Sequence, residues 1–198
     1  MENFRQLAKA VNMLHCSHHA TSRLDDPLHS ELLLANGSIT LGQLLTPGWR
    51  LPQLSDVFLS CCETHLGTPT TTDDILTLAT GFLCAGARSV VSTLWLVDDL
   101  ATALFAIFYY KQRQQGCDRP TAIRNAQVKL RDLSCDEFQE QYSSKLNLFL
   151  TEELNRCTDP QIKVKIHKAL WRLEDVAKED QPFAHPFYWA GFICQGLG

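Results

Sequence analysis

The sequence lacks several features that would place it in a broad functional class. Its Lys and Arg residues are scattered and the net charge is −4 over 198 residues, so nothing indicates a nucleic-acid partner. No apolar run approaches the roughly 20 residues of a membrane span. The N-terminus does not show the basic and then apolar layout of a signal peptide. We therefore expect one cytoplasmic domain that binds neither nucleic acid nor a membrane.

The sequence also has no Cys-x-x-Cys pair, no internal repeat and no low-complexity segment, but it has eight cysteines. Secreted disulfide scaffolds are smaller and richer in loops, so we interpret these cysteines as reduced thiols. A zinc site needs to be weighed, because seven soft ligands fall in two short segments: His15, Cys16, His18, His19, Cys61, Cys62 and His65. Their spacing matches no zinc finger, and strand geometry sends neighbours to opposite faces. We expect no native metal and no cofactor.

Three short apolar runs stop at polar residues, which is typical of buried strands that end at a site. They are Met13 to Cys16, Asp56 to Cys62 and Ser89 to Leu94. Stretches with helical spacing separate the later runs, so the pattern indicates right-handed βαβ units and a mostly parallel sheet. The predicted fold class is α/β, and the whole chain, 1–198, is predicted to be one domain.

Turn and capping residues place the remaining elements. Asn36-Gly37 between two apolar runs predicts a hairpin with a type I′ turn. Asp73 or Asp74 is predicted to cap a helix that Gly86 ends, and Asp98-Asp99 begins another. The charged segment 135–178 predicts a two-helix insertion, with a solvated face or a docking face for a regulatory domain. The aromatic run Phe187 to Cys194 predicts the last strand.

The ends of the first two long strands bring a base and a nucleophile to one edge of the sheet. Chemistry in open α/β sheets lies just past the carboxyl ends of the strands. His19 follows the first strand and Cys62 ends the next, and their separation of 43 positions is ample for a crossover. A cationic His19 close to Cys62 would favour its thiolate. We therefore predict a Cys–His dyad.

Four ordered blocks in this chain resemble a known family. His15 to Ala20 is similar to His-x-Ala-x-His-Gly, and Leu59 to Thr64 is similar to Leu-Ser-Ala-Cys-Glu-Thr. Ser89 to Trp95, followed by Asp98, matches a third block, and His185 to Phe192 matches His-Pro-x-Tyr-Trp-Ala-x-Phe. Together they resemble the CHAT domain, the caspase-like module often fused to tetratricopeptide repeats. The resemblance covers about Leu14 to Gly196, with 135–178 outside the family core.

The resemblance implies a three-layer αβα sandwich, as in caspases, separase and gingipains, and a cysteine endopeptidase activity on a protein substrate. It implies His19 as the general base and Cys62 as the nucleophile. Backbone N–H groups of Ala20 and Cys62 would form the oxyanion hole. Asp98, together with Cys61 and Glu63 beside the nucleophile, is a candidate for binding the substrate.

Departures from the family pattern motivate an alternative function. Ala20 stands where the family has Gly, which would cost energy if the position required a positive φ. Cys61 stands where the family has Ala. The strands that precede the His block in longer members are absent, which predicts an exposed sheet edge or the C-terminal part of a longer protein. The alternative is a catalytically inactive interaction module, with a tetratricopeptide-repeat or other regulatory domain as its partner.

Overall fold

The structure, a computed structural model, describes residues 2–17, 19–23, 25–60, 63–64 and 77–197. The chain divides into two compact units. The first, which we call the sheet unit, contains Met1–Val97, Cys117–Ile123 and Gly191–Gly198. The second, which we call the helical unit, contains Asp98–Gly116 and Arg124–Ala190.

The main sheet of the sheet unit has four strands in the order β1, β5, β7, β8. Their bounds are Met13–Cys16 for β1, Asp56–Leu59 for β5, Ser89–Thr93 for β7 and Phe192–Gly196 for β8. The first three run parallel and β8 is antiparallel to β7, with Thr93 opposite Phe192. The α/β fold class with a mostly parallel sheet, as expected for a caspase-like sandwich, is confirmed.

A second, smaller sheet lies in the same unit and has the order β4, β3, β2, β6. Its strands are Ala20–Thr21 (β2), Glu31–Leu34 (β3), Gly37–Thr40 (β4) and Glu63–Thr64 (β6). The predicted hairpin is confirmed as β3–β4, but Leu34 pairs with Gly37, so the turn residues are Ala35 and Asn36. Gly37 has φ +124°, which an L side chain adopts only with strain. The glycine is therefore needed just after the turn and not within it.

Among its described residues the sheet unit also has the α-helices Glu2–Lys9 (α1), Leu41–Leu44 (α2) and Leu78–Ala85 (α3) and two short 3-10 helices, Pro27–His29 and Pro47–Trp49. The core includes Phe82 of α3 and Val57 of β5, which are almost fully buried. Gly86 ends α3 as predicted, with φ +125° and a position where a Cβ would lie 3.0 Å from the Leu51 carbonyl oxygen. The predicted caps Asp73 and Asp74 lie outside the described residues. The described start of α3 is capped by Thr77, whose hydroxyl accepts from Thr80 N–H.

One ion pair is enclosed in the sheet unit at the start of β5. Arg119 donates two hydrogen bonds to Asp56, Nε to Oδ1 at 2.5 Å and Nη2 to Oδ2 at 3.0 Å. Both side chains are about 15% exposed. The Ser55 hydroxyl donates to the same carboxylate. A two-pronged Arg–carboxylate pair of this kind fixes geometry as well as charge.

The helical unit is built from the long helix Asp99–Gln114 (α4) and the segments that follow it. Residues Arg119–Arg131 form α5, which has residues in both units. The predicted two-helix segment is divided further: Cys135–Phe138 (α6), a π-helical turn at Gln139–Ser143, Ser144–Arg156 (α7) and Pro160–Val176 (α8). No helix among the described residues has the length and apolar character needed to cross a membrane.

The last predicted strand is wrong in its first half. Pro186–Trp189 form a short helix (α9), and the strand begins only at Phe192. Proline at the first helical position is pre-organised for helix, and the His185 side chain accepts a hydrogen bond from Phe187 N–H as a cap. These two local features outweigh the strand preference of the aromatic residues.

Candidate functional site

His19 lies between β1 and β2, on the solvent-exposed side of the chain. From Met13 to Ala20 the odd-numbered residues are exposed, while Cys16 and Ala20 are buried. The His19 carbonyl oxygen accepts a hydrogen bond from Leu33 N–H at 2.8 Å, so β3 holds the backbone at this residue. An exposed imidazole on a fixed backbone can meet a substrate and exchange protons with it.

Cys62 and Cys61 lie outside the described residues, but the chain on both sides of them is described. Before them, Leu59 pairs with Cys16, and Ser60 N–H donates to the Cys16 carbonyl oxygen at 2.9 Å. After them, Glu63 pairs with Ala20 in the parallel direction. The strand just before His19 therefore pairs with the strand just before the two cysteines, and the strand just after His19 pairs with the strand just after them.

Ala20 lies in strand β2, paired with Leu32 on one side and Glu63 on the other. A β-strand backbone has negative φ, so alanine is tolerated here and no glycine is required. Because the neighbouring His19 carbonyl bonds to β3, strand alternation directs the Ala20 N–H away from β3 and towards β6. Its predicted part in an oxyanion hole stays a prediction.

A hydrogen-bonded pair that sequence reasoning missed lies in the same region. His15 Nε2 and Ser60 Oγ are 2.6 Å apart, and the His15 ring lies 4.8 Å from the buried ring of Phe58. Desolvation of the His15 ring by burial lowers the pKa of His15 below the ordinary value of a histidine. Residues 15 and 58 are opposite each other in the strand register, a relation between distant segments that no local sequence pattern gives.

Asp98 has partners for both carboxylate oxygens within the helical unit. Oδ1 accepts from Ala101 N–H at 3.0 Å and so caps α4, and Oδ2 accepts from Arg172 Nε at 3.2 Å. Arg172 also donates to the Tyr188 hydroxyl at 3.3 Å. Desolvation opposes the charge of Arg172, but Asp98 and its other acidic neighbours raise the pKa overall. These contacts show a structural role, and substrate binding by Asp98 stays a prediction.

The remaining predicted site features are less defined. Glu63 is described by its backbone in β6. Among the described residues no group of three His, Cys, Asp or Glu side chains is arranged to hold a metal ion. His18, Cys61, Cys62 and His65 of the weighed zinc cluster lie outside those residues. Six cysteines are among the described residues, and none of them forms a disulfide: Cys16, Cys84, Cys117, Cys135, Cys157 and Cys194.

Two surface pockets found among the described residues are lined only by residues of the helical unit, and His19 is not in their lining. Their volumes are about 470 and 310 Å³, and both are lined by Lys111, Gln141 and Tyr142. Neither holds a cysteine, a histidine or a serine in its lining. Nothing in their chemistry matches the predicted dyad.

The third and fourth sequence blocks meet where β7 and β8 pair. Leu94 N–H donates to the Gly191 carbonyl oxygen at 2.9 Å. A Cβ on Gly191 would lie 2.8 Å from the Trp95 ring, so a side chain there would force the indole to move. The two blocks share a packing role, because one supplies the indole and the other the residue small enough to lie beneath it.

Comparison with known proteins identifies a family but no individual relative. No curated protein matches the chain. The family model of the CHAT domain matches residues 1–197, which is essentially the whole chain and includes the helical segment 135–178. The blocks predicted from sequence, the mostly parallel sheet and this match agree, and the chain therefore belongs to the CHAT-domain family, whose fold is caspase-like.

Proposed function

We propose that this chain is a cysteine endopeptidase domain in which His19 and Cys62 form the catalytic dyad. The observation that carries the proposal is the register of the two segments. Every pair of opposite residues in β1 and β5 is separated by 43 positions, from Met13 and Asp56 to Cys16 and Leu59. The pairs of β2 and β6 have the same separation, as Ala20 and Glu63 do. His19 and Cys62 are also 43 apart.

A constant separation on both sides means that the two segments enter and leave the region without a net slip in register. One inserted or deleted residue would move the side chains to the opposite face. Neighbouring parallel strands lie about 4.8 Å apart, which is close enough for an imidazole and a thiol to exchange a proton. The register supports the pairing of His19 with Cys62 rather than with Cys61.

The chemistry that follows is acyl transfer. His19 would accept the proton of the Cys62 thiol, and the thiolate would attack the scissile carbonyl carbon. Backbone N–H groups, for which Ala20 and Cys62 are the candidates, would stabilise the oxyanion of the tetrahedral intermediate. His19 would then give its proton to the leaving amine, and water would hydrolyse the thioester. The substrate is a protein segment, and Cys61, Glu63 and Asp98 remain the candidates for binding it.

The test is to measure thiol labelling and peptide cleavage in matched variants. A cysteine-directed acylating probe should label Cys62 of the wild-type protein, and Cys62→Ala should lose this label. His19→Ala should slow labelling and abolish cleavage of a peptide library. Cys84→Ala removes a solvent-exposed cysteine of α3 and should change neither. Equal labelling of Cys62 and Cys84, with cleavage unaffected by His19→Ala, would contradict the proposal.

A second candidate is an interaction module without activity, and a specific observation favours it. Phe149 of α7 and Val164 and Trp171 of α8 are 59, 67 and 58% exposed. Exposed aromatic side chains of this size are typical of surfaces that bind other proteins. A tetratricopeptide-repeat or other regulatory domain would be the partner. A cleavage-inactive wild type, with partner binding lost in a Phe149→Ser and Trp171→Ser double variant, would favour this function.

A further inference from the structure

The contact between His15 and Ser60 links the two segments that would carry the dyad. His15 is on β1, and its ring covers Phe58, which is 2% exposed. Its Nε2 is 2.6 Å from the Ser60 hydroxyl oxygen. The desolvation that lowers the pKa of His15 favours the neutral imidazole, and a neutral imidazole can accept a hydrogen bond from the hydroxyl.

Ser60 is held to β1 twice. Its backbone N–H donates to the Cys16 carbonyl oxygen at 2.9 Å, and its hydroxyl reaches His15. It is the last described residue before the two cysteines and lies two positions before Cys62. A residue fixed through both its backbone and its side chain restricts the path of the chain that continues from it.

The exposure pattern puts His15 on the same side of the chain as His19. The odd-numbered residues from Met13 to His19 are exposed. Two even-numbered residues of the same stretch, Cys16 and Ala20, are buried. His15 and His19 thus belong to one exposed row. The hydrogen bond joins this row to the neighbouring segment just before Cys62.

We propose that His15 and Ser60 are a positioning pair, which fixes the segment leading to Cys62 against the segment that carries His19. The inference rests on the proposed function, since it assigns a role at the same site. Neither residue touches the substrate in this role. Both act by keeping the thiol within reach of the His19 imidazole, which lowers the pKa of the thiol.

The measurement is the pH profile of Cys62 alkylation by iodoacetamide, followed by mass spectrometry, with exposed Cys84 as the internal reference. In the wild type we expect Cys62 to react with a pKa below the ordinary thiol value of about 8.5. Ser60→Ala and His15→Phe should each move the pKa of Cys62 towards the ordinary thiol value and slow its alkylation at pH 7 about tenfold. His15→Phe keeps a ring against Phe58 and removes the bond to Ser60.

Three controls separate positioning from general stabilisation. The double variant should be no slower than either single variant, because both remove one shared bond. His15→Gln, whose amide can reach towards Ser60, should recover part of the wild-type rate. His167→Phe changes an exposed histidine of α8 and should leave the pKa of Cys62 unchanged.

The outcomes distinguish this inference from the proposed function. If folded Ser60→Ala and His15→Phe proteins keep the wild-type pKa of Cys62, the positioning role is wrong and the dyad stands. If Cys62 of the wild type titrates at the ordinary thiol value of about 8.5, the dyad itself is wrong. As a second measurement, the imidazole ¹⁵N signals of His15 in the wild type should show a neutral ring at pH 7. They should shift in Ser60→Ala, and unchanged signals would overturn the bond.

Discussion

The strands and helices of the sheet unit bury far more of their residues than the helices α7 and α8 of the helical unit do. In α3 of the sheet unit five of the eight residues are buried, and in β5 three of the four. In the helical unit α7 has no buried residue, and only Leu173 and Val176 are buried in α8. The helices α7 and α8 pack against each other but leave Phe149 and Trp171 more than half exposed. The difference indicates that the sheet unit carries the stable framework of the site, whereas α7 and α8 have apolar surface to offer.

The largest expected effect comes from removing a core side chain of the sheet unit. Phe82 is fully buried, so Phe82→Ala should lower the free energy of unfolding by about 3–5 kcal/mol. Phe149→Ala in α7 makes the same chemical change at an exposed position and should alter stability by no more than about 0.5 kcal/mol. Urea denaturation of both variants provides the measurement. Similar losses in the two would remove the contrast between the sheet unit and α7.

Breaking the enclosed ion pair should cost slightly less. Arg119→Met leaves the Asp56 carboxylate without its two-pronged partner and should lower the free energy of unfolding by about 2–4 kcal/mol. Arg131, the last residue of α5, pairs with Asp132, and the two side chains are 45 and 55% exposed. Arg131→Met should therefore show no measurable change in the same denaturation experiment. An Arg119→Met protein as stable as the wild type would mean that water solvates the Asp56 carboxylate once the arginine is gone.

A smaller effect is expected at Asp98 in the helical unit. Asp98→Asn keeps an oxygen that can cap α4 but loses the charge that faces Arg172, so stability should fall by about 1 kcal/mol. Asp99→Asn alters the exposed neighbour and is the matched control. Thermal unfolding measures the loss. If Asp98→Asn instead changes which peptides are cleaved while leaving stability intact, the residue binds substrate.

The smallest expected effect is a pH dependence from His15. Its pKa in the folded protein is lowered by desolvation, so the unfolded chain binds a proton more readily. Stability from this group is therefore present above the ordinary histidine pKa of about 6.5 and falls as the pH drops below it. Melting temperatures at pH 7.5 and 5.5 should differ less in His15→Phe than in the wild type. An equal difference in both proteins would assign the pH dependence to other groups.

The strands of the main sheet could be predicted because their physics is local. Each of Met13–Cys16, Asp56–Leu59 and Ser89–Thr93 is a short run of apolar and β-branched residues that stops at polar ones. The end of α3 at Gly86 could be predicted because glycine adopts a positive φ without strain. The start of α4 at Asp98 could be predicted because an Asp side chain can accept a hydrogen bond from a backbone N–H of the first turn. The predicted last strand is too long, because its aromatic residues favour a strand whereas the ring of Pro186 favours the start of a helix.

The contacts of Asp98 and of His15 could not be predicted in the same way, because each joins distant parts of the chain. Arg172 reaches Asp98 across 74 residues, and His15 reaches Ser60 across 45. No local pattern distinguishes an arginine that pairs with Asp98 from one that faces solvent. The sequence blocks did pair the correct strands, but only the register of Ala20 with Glu63 shows that the offset continues beyond β1 and β5.

The most direct test of the account is a cross-link between positions 19 and 62. Opposite residues of neighbouring strands have Cα atoms close enough for a disulfide. In a Cys61→Ala background, a His19→Cys variant should form a disulfide to Cys62 under mild oxidation, identified by peptide mapping. A Ser17→Cys variant, which lies 45 positions from Cys62 and not the 43 that separate the paired residues, should form it far more slowly. Equal cross-linking by both variants, or none by His19→Cys in a folded protein, would contradict the register on which the dyad depends.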